Sequence, residues 1–161
     1  MADKILEVKA NDHTVFLIGN GGSSATPSHS AGDWLKELEL NAICLSDNIP
    51  AVTAFANDTG YDNVFLGQLK IFLSEGDIVI GYSGSGNSIN VINAVKYARN
   101  KGNFVIGITG NYNNGKGGLL QENSDLGIVV DSESMERIED SHLIINHLVK
   151  EYIKEKYIKA V

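Results

Sequence analysis

Five short runs of apolar, largely β-branched residues recur along the chain and constrain its fold. They lie at residues 14–18, 42–46, 77–82, 103–109 and 126–130. The other stretches show the apolar spacing of helices, which we predict at residues 3–10, 27–38, 50–57, 62–73, 88–99, 117–122 and 134–156. Strands that are apolar throughout are typical of parallel sheets covered on both faces. With right-handed crossovers, the pattern predicts an α/β fold, a three-layer α/β/α sandwich around a five-stranded parallel sheet.

Composition excludes several classes of protein. A length of 161 residues predicts a single domain over residues 1–161. The net charge of −7 and the lack of a basic stripe argue against a nucleic-acid partner. No apolar run approaches the roughly 18 residues of a membrane span, and residues 1–10 do not resemble a signal peptide. We therefore expect a cytoplasmic protein without a membrane partner. The only cysteine, Cys44, cannot form a disulfide within the chain.

The third apolar run leads into a loop rich in glycine and serine, Gly-Tyr-Ser-Gly-Ser-Gly-Asn-Ser at residues 81–88. The hydroxyls of Ser83, Ser85 and Ser88, with the backbone N–H groups that begin the next helix, offer an anion several donors. The loop has neither the Gly-Lys-Ser/Thr of a Walker loop nor GxGxxG, so it does not match a nucleotide-binding template. It favours a monophosphate on a small metabolite. The alternative is an ordinary strand-to-helix loop capped by Ser88.

Three further polar segments follow strands, at residues 19–24, 46–48 and 109–110. Ligands of parallel α/β sheets bind at the carboxyl ends of the strands, near the point where the strand order reverses. All four segments belong to that edge. Their convergence strengthens the prediction of a phosphate-bearing ligand.

Two histidines and nearby carboxylates are candidates for chemistry. His29 and Asp33 are four residues apart and lie on one helix face, where they can chelate a divalent metal or act as a base and its orienting group. An ordinary surface pair is the alternative. On the last helix, His147 and Glu139 are separated by about 12 Å of rise, so they share a centre only if their side chains lean together, the helix starts after Glu139 or another subunit intervenes. We expect His142 to be a hydrogen-bonded core residue.

Together, these motifs resemble the SIS (sugar isomerase) domain, specifically its phosphoheptose isomerase branch. The resemblance spans residues 14–155 and lies in Gly-Asn-Gly-Gly-Ser at residues 19–23, Ala-Asn-Asp at 56–58, the serine loop and the helix at 137–147. It implies a flavodoxin-like or Rossmann-like sheet and a homotetramer with sites between subunits. It also implies interconversion of sedoheptulose 7-phosphate and D-glycero-D-manno-heptose 7-phosphate, which leads toward heptose in cell-surface glycans.

The resemblance also assigns roles to residues. It implies that Asp33 and His147 are catalytic. Some family members bind zinc, and the corresponding ligands here are His29, Asp33, Glu139 and His147. The implied substrate-binding residues are Asn20, Gly21, Gly22, Ser23, Asn57, Asp58, Ser83, Ser85, Asn87, Ser88 and Glu139.

The chain departs from the family pattern at three points. Asp33 stands where the family has a longer Glu, and Glu139 stands where it has a neutral Gln. The thirteen residues before the first strand also leave little room for a helix that packs between subunits in the family. These departures keep a non-catalytic sugar-phosphate sensor or protein adaptor as the alternative to the isomerase. The retained histidines and carboxylate favour the isomerase.

Overall fold

The structure of the protein is a computed structural model that describes residues 1–158, with five strands between two layers of helices. The strands are β1 (Val15–Gly19), β2 (Ala42–Cys44), β3 (Ile78–Ser83), β4 (Phe104–Gly110) and β5 (Leu126–Val130). The helices are α1 (Ala2–Ala10), α2 (Gly22–Leu38), α3 (Ile49–Thr59), α4 (Val64–Phe72), α5 (Ile89–Asn100), α6 (Gly118–Glu122) and α7 (Met135–Ile153).

The strands form one parallel sheet in the order β2-β1-β3-β4-β5. The chain moves to one side after β1 and to the other after β3, so the switch point lies between these two strands. Gly19 at the end of β1 pairs with Tyr82, and Ser83 at the end of β3 pairs with Thr109. The α/β fold and its five-stranded parallel sheet are confirmed, and the polar segments do meet at one edge.

Each face of the sheet has its own apolar core. On one face, Leu17 and Ile80 pack among residues of α1, α2 and α7, including the fully buried Trp34. On the other, Phe16 and Val79 pack against α4, α5 and α6. Alternate residues of β1 therefore serve both cores, as expected of a strand covered on both sides.

Helix α2 begins five residues earlier than predicted. Its first turn forms directly after Gly21, whose φ of 55° favours glycine, and Ser24 N donates to Gly21 O at 2.9 Å. Pro27 is therefore inside the helix rather than in its first turn. Because proline lacks an N–H, Ser23 O cannot receive the usual helical bond from it. That carbonyl instead lies against Gly19, where a Cβ would overlap it.

Helix α7 buries part of the face that its apolar spacing indicates, since Ile138 and His142 are buried and Ile145 and Val149 pack against the core. The residues it buries are Ile138, His142, Asn146, Lys150 and Ile153. Apolar spacing would also turn Leu148 and Tyr152 inward, but these side chains are 64% and 46% exposed. Three of the five buried residues are polar, so hydrophobicity alone does not identify the whole buried face. The helix ends at Ile153, before the predicted residue 156, and a π-helical turn follows over Lys154–Ile158.

Of the helices within residues 1–158, none is both long enough and apolar enough to cross a membrane. Cys44 is buried in β2, and this burial raises the pKa of its thiol to about 11. It is therefore a poor nucleophile at neutral pH.

Candidate active site at the β1–β3 edge

A cavity of about 240 Å³ lies where the β1 and β3 loops diverge. It is lined by residues of both loops and by the first turns of α7: Asn20, Gly21, Gly22, Ser23, Tyr82, Ser83, Gly84, Ser85, Ser88, Met135 and Glu139. Most of the residues predicted to bind substrate are therefore brought together. Tyr82 and Met135 are additional lining residues that the sequence did not single out.

The serine loop turns tightly at the start of α5. Ser83 Oγ and Ser88 Oγ are 3.0 Å apart, and Ser88 is the N-cap residue of α5. Gly86 has a φ of 68°, and a Cβ there would overlap the backbone of Gly117. The loop thus directs serine hydroxyls and a helix N-terminus at one point, which suits an anion.

Asn87 faces away from the cavity. Its Oδ1 accepts from Leu119 N at 3.1 Å, and its Nδ2 donates to Ser85 O at 3.0 Å. Leu120 N also donates to Gly86 O at 2.8 Å. Asn87 therefore braces the serine loop against α6, and its role in substrate binding stays a prediction.

The Asn20 amide belongs to a small hydrogen-bonded network. It exchanges two 2.8 Å hydrogen bonds with the amide of Asn90, and Tyr61 Oη donates to its Oδ1 at 3.0 Å. Asn90 is buried and fixes the orientation of Asn20. By contrast, Asn57 and Asp58 are exposed near the end of α3, hydrogen-bonded to each other at 2.8 Å, and do not line the cavity.

Farther along α2 and α7, three donors meet in what we call the triad: His29, Asp33 and His147. The Nε2 atoms of the two histidines are 3.1 Å apart. Asp33 Oδ2 lies 3.6 Å from His29 Nε2 and 3.8 Å from His147 Nε2. Tetrahedral zinc with bonds of about 2.0–2.2 Å separates its ligand atoms by about 3.3–3.5 Å, so these donors fit such an ion.

Glu139 is not in the triad. Its carboxylate lies against Gly22, where a Cβ would overlap it, and it lines the cavity. Helix α7 starts at Met135, ahead of Glu139, so the helical rise separates Glu139 from His147. Its position favours contact with any ligand that binds in the cavity. Metal ligation by Glu139 stays a prediction.

A lysine that the sequence analysis missed lies beside the triad. The Lys150 ammonium donates to Asp33 Oδ2 and to Glu37 Oε1, both at 2.9 Å, and its side chain is 10% exposed. Burial acts to lower the Lys150 pKa, but the bonds to Asp33 and Glu37 outweigh it, and the pKa is raised. Hydrogen bonds from Lys154 and Lys150 lower the Glu37 pKa to about 2. The signal that could have revealed Lys150 is its place one turn after Asn146 and three residues after His147.

A buried polar chain joins the cavity to the triad helices. Tyr82 Oη donates to Asn146 Oδ1 at 3.0 Å, and Asn146 Nδ2 donates to Ser30 Oγ at 2.7 Å. Ser30 adjoins His29, and Asn146 adjoins His147. His142 is fully buried with Nε2 3.1 Å from Thr109 O, and burial lowers its pKa, so the prediction of a core histidine is confirmed.

The opposite edge of the sheet has a larger cavity, of about 570 Å³. His13 lines it and therefore lies away from the candidate site. Four of the charged side chains there form two pairs, Lys4 with Glu7 at 2.7 Å and Arg99 with Asp125 at 3.3 Å, and Asp77 accepts hydrogen bonds from backbone N–H groups. These pairs give the cavity little net charge with which to attract an ionic ligand.

Comparisons with known proteins show the family to which this fold belongs. A family model described as SIS domain matches residues 1–110. The phosphoheptose isomerase of Aliarcobacter butzleri (strain RM4018) is 40% identical over 158 residues, covering 94% of this chain and 82% of the relative. A probable phosphoheptose isomerase of Thermoplasma acidophilum is 37% identical over 162 residues, covering 98% and 87%. The structure of phosphoheptose isomerase GmhA from Neisseria gonorrhoeae matches with a TM-score of 0.89 at 34% identity, covering 96% of this chain and 83% of that one.

The family model covers more than half of the chain. Relatives more than 30% identical to the chain align with it over most of their own length. The fold, the glycine- and serine-rich edge and these matches agree, and the chain belongs to the SIS domain family.

Proposed function

We propose that this chain is a phosphoheptose isomerase, an enzyme that interconverts sedoheptulose 7-phosphate and D-glycero-D-manno-heptose 7-phosphate. The observation that carries this is the meeting of two imidazoles and a carboxylate between α2 and α7, on the same helices that border the anion-binding cavity. The named relatives support the same aldose–ketose isomerase chemistry. A proposed place in heptose and cell-surface glycan synthesis follows from the product.

The serine loop would hold the phosphate. Ser83, Ser85 and Ser88 supply hydroxyl donors, and the first turn of α5 adds backbone N–H groups. Asn20, Ser23 and Glu139 line the remaining wall and would bind the hydroxyl groups of the sugar chain. The reacting end of the sugar would then extend along α2 and α7 toward the triad.

Isomerisation requires a proton to leave the carbon beside the carbonyl and to return at the neighbouring carbon, through an enediol or enediolate. Asp33 Oδ2 and His147 Nε2, which are 3.8 Å apart, would divide the acid and base roles. Their assignment to the two roles stays open. Both groups belong to rigid helices, which favours a fixed reactive geometry.

The family resemblance implies zinc, and the donor set fits it. His29, Asp33 and His147 would hold the ion, with Glu139 as the predicted fourth ligand. Such an ion would polarise the substrate's carbonyl or hydroxyl oxygens. Imidazole and carboxylate ligands suit zinc and other divalent metals.

We also propose that the protein is one SIS domain that acts in the cytoplasm as a homo-oligomer, expected to be a tetramer. The family resemblance suggests this assembly. An exposed apolar row on α7, formed by Ile144, Leu148 and Tyr152, supports it, because such surfaces are typical of contacts between subunits.

A turnover assay tests the proposed activity. Incubated with sedoheptulose 7-phosphate, with or without added zinc, the protein should form the aldose phosphate, which NMR detects directly. Binding of the sugar phosphate without turnover under both conditions would instead support the non-catalytic sensor.

Replacement of Ser88 by alanine should weaken sugar-phosphate binding by about tenfold, because one donor to a charged group is lost. Isothermal titration with sedoheptulose 7-phosphate measures this. The matched control is Ser141→Ala, whose hydroxyl donates to Arg137 O within α7 at 2.7 Å. Equal affinities of the two variants would contradict the role of the serine loop.

A further inference from the structure

We propose that Lys150 competes with a divalent metal for Asp33, and so lowers the affinity of the triad for zinc. The inference rests on the proposed metal site. The proposal concerns Lys150, which is not a ligand of that site but controls how tightly zinc binds there.

The competition is for one atom. Asp33 Oδ2 is the oxygen that approaches both histidines, and the same oxygen accepts a 2.9 Å hydrogen bond from Lys150 Nζ. A metal ion bound to Oδ2 would lie close to the ammonium group. Two positive charges at such a distance repel strongly, most of all where water screens them poorly.

The ammonium is also held in place. Its side chain is 10% exposed, and a second bond to Glu37 Oε1 anchors it from the next turn of α2. Glu37 is bound in turn by Lys154, and Glu151 lies 3.7 Å from both lysine ammonium groups. Lys150 therefore cannot turn freely into water when a metal arrives. A zinc ion on Asp33 Oδ2 would therefore face an ammonium group that is fixed at hydrogen-bond distance from the same oxygen.

The shorter side chain of Asp33 matters here. An aspartate side chain is one methylene shorter than a glutamate side chain, so its carboxylate lies closer to the helix. In this position the Asp33 carboxylate accepts a hydrogen bond from the Lys150 ammonium group between α2 and α7.

The zinc affinity of the metal-free protein, measured by competition with a chromophoric chelator, tests this proposal. Lys150→Met keeps the apolar stem and removes the charge, and it should bind zinc about tenfold or more tightly than the wild type. Lys150→Gln should behave likewise and serves if the methionine variant folds poorly. The matched control is Lys154→Met, which loses a cation bound to Glu37 but not to Asp33, and should change affinity by less than about threefold.

The possible outcomes distinguish the role of Lys150 from the existence of the metal site. Equal zinc affinity in wild type, Lys150→Met and Lys150→Gln would overturn the role of Lys150 and leave the metal site standing. Weaker binding in both Lys150 variants would also overturn it, because Lys150 would then support the metal. No zinc binding in any of these proteins would overturn both the site and the inference. Cobalt absorption spectra that match between wild type and Lys150→Met would support an unchanged ligand set.

Discussion

Replacing His147 with alanine is expected to lower kcat by about 100- to 10,000-fold, the usual range for loss of a general acid or base. His147 Nε2 lies 3.1 Å from His29 Nε2 and 3.8 Å from Asp33 Oδ2, so the alanine variant lacks one of the three donors of the triad. The cavity that would hold the phosphate lies beside the serine loop and should be unaffected. Turnover of sedoheptulose 7-phosphate by NMR and its affinity by calorimetry measure the two effects separately.

Two further variants control this experiment. Asp33→Asn should cause a loss of similar size, because the amide cannot take up a proton as the carboxylate does. His13→Ala, at the opposite edge of the sheet, should retain wild-type turnover. Full activity in both His147→Ala and Asp33→Asn would remove these residues from the mechanism.

Replacing Gly19 with alanine should destabilise the fold by about 3 kcal/mol or more, at or above the upper end of overpacking effects. The new Cβ would overlap the carbonyl oxygen of Ser23, and a backbone atom cannot move aside as a flexible side chain can. The start of α2 must then shift, and with it the cavity wall at Ser23. Urea unfolding gives the stability, and sugar-phosphate affinity gives the effect on the cavity.

Gly32→Ala is the matched control for this variant. Gly32 lies in the interior of α2, and a Cβ there would meet nothing within 4 Å. Alanine at this position should stabilise the protein by about 0.5–1 kcal/mol, because glycine loses more backbone entropy in a helix. Equal stability of Gly19→Ala and wild type would contradict the close packing of Gly19 on Ser23.

The fold was predictable because its signals are local. Apolar runs such as residues 126–130 mark a strand by themselves, and the glycine- and serine-rich loops mark the strand ends. The start of α2 was missed because Pro27 suggested a first turn, whereas the packing of Gly19 against Ser23 allows the helix to begin earlier. This contact joins a strand to a helix, and propensity rules do not describe it.

The site was predictable only in part, for a similar reason. His29 and Asp33 are four residues apart, so helical periodicity places them together. Lys150 and Asn146 meet their partners across two helices more than a hundred residues apart in sequence, and the pairing depends on how α2 and α7 pack. A polar residue on a buried helix face was the available clue, and hydrophobic spacing does not register it.

The buried polar chain through Asn146 has a consequence for how α2 and α7 are aligned. Asn146 and Lys150 on α7 and Lys154 directly after it follow one another at intervals of four residues, and the two lysines meet carboxylates on α2. A slip of one helical turn, about 5.4 Å, would let the lysines exchange carboxylates at little electrostatic cost. Asn146 does not allow this exchange, because its amide would lose both Tyr82 and Ser30. The neutral amide thus sets the helix register, and the register brings the Nε2 atoms of His29 and His147 to 3.1 Å from each other, with the rings nearly perpendicular.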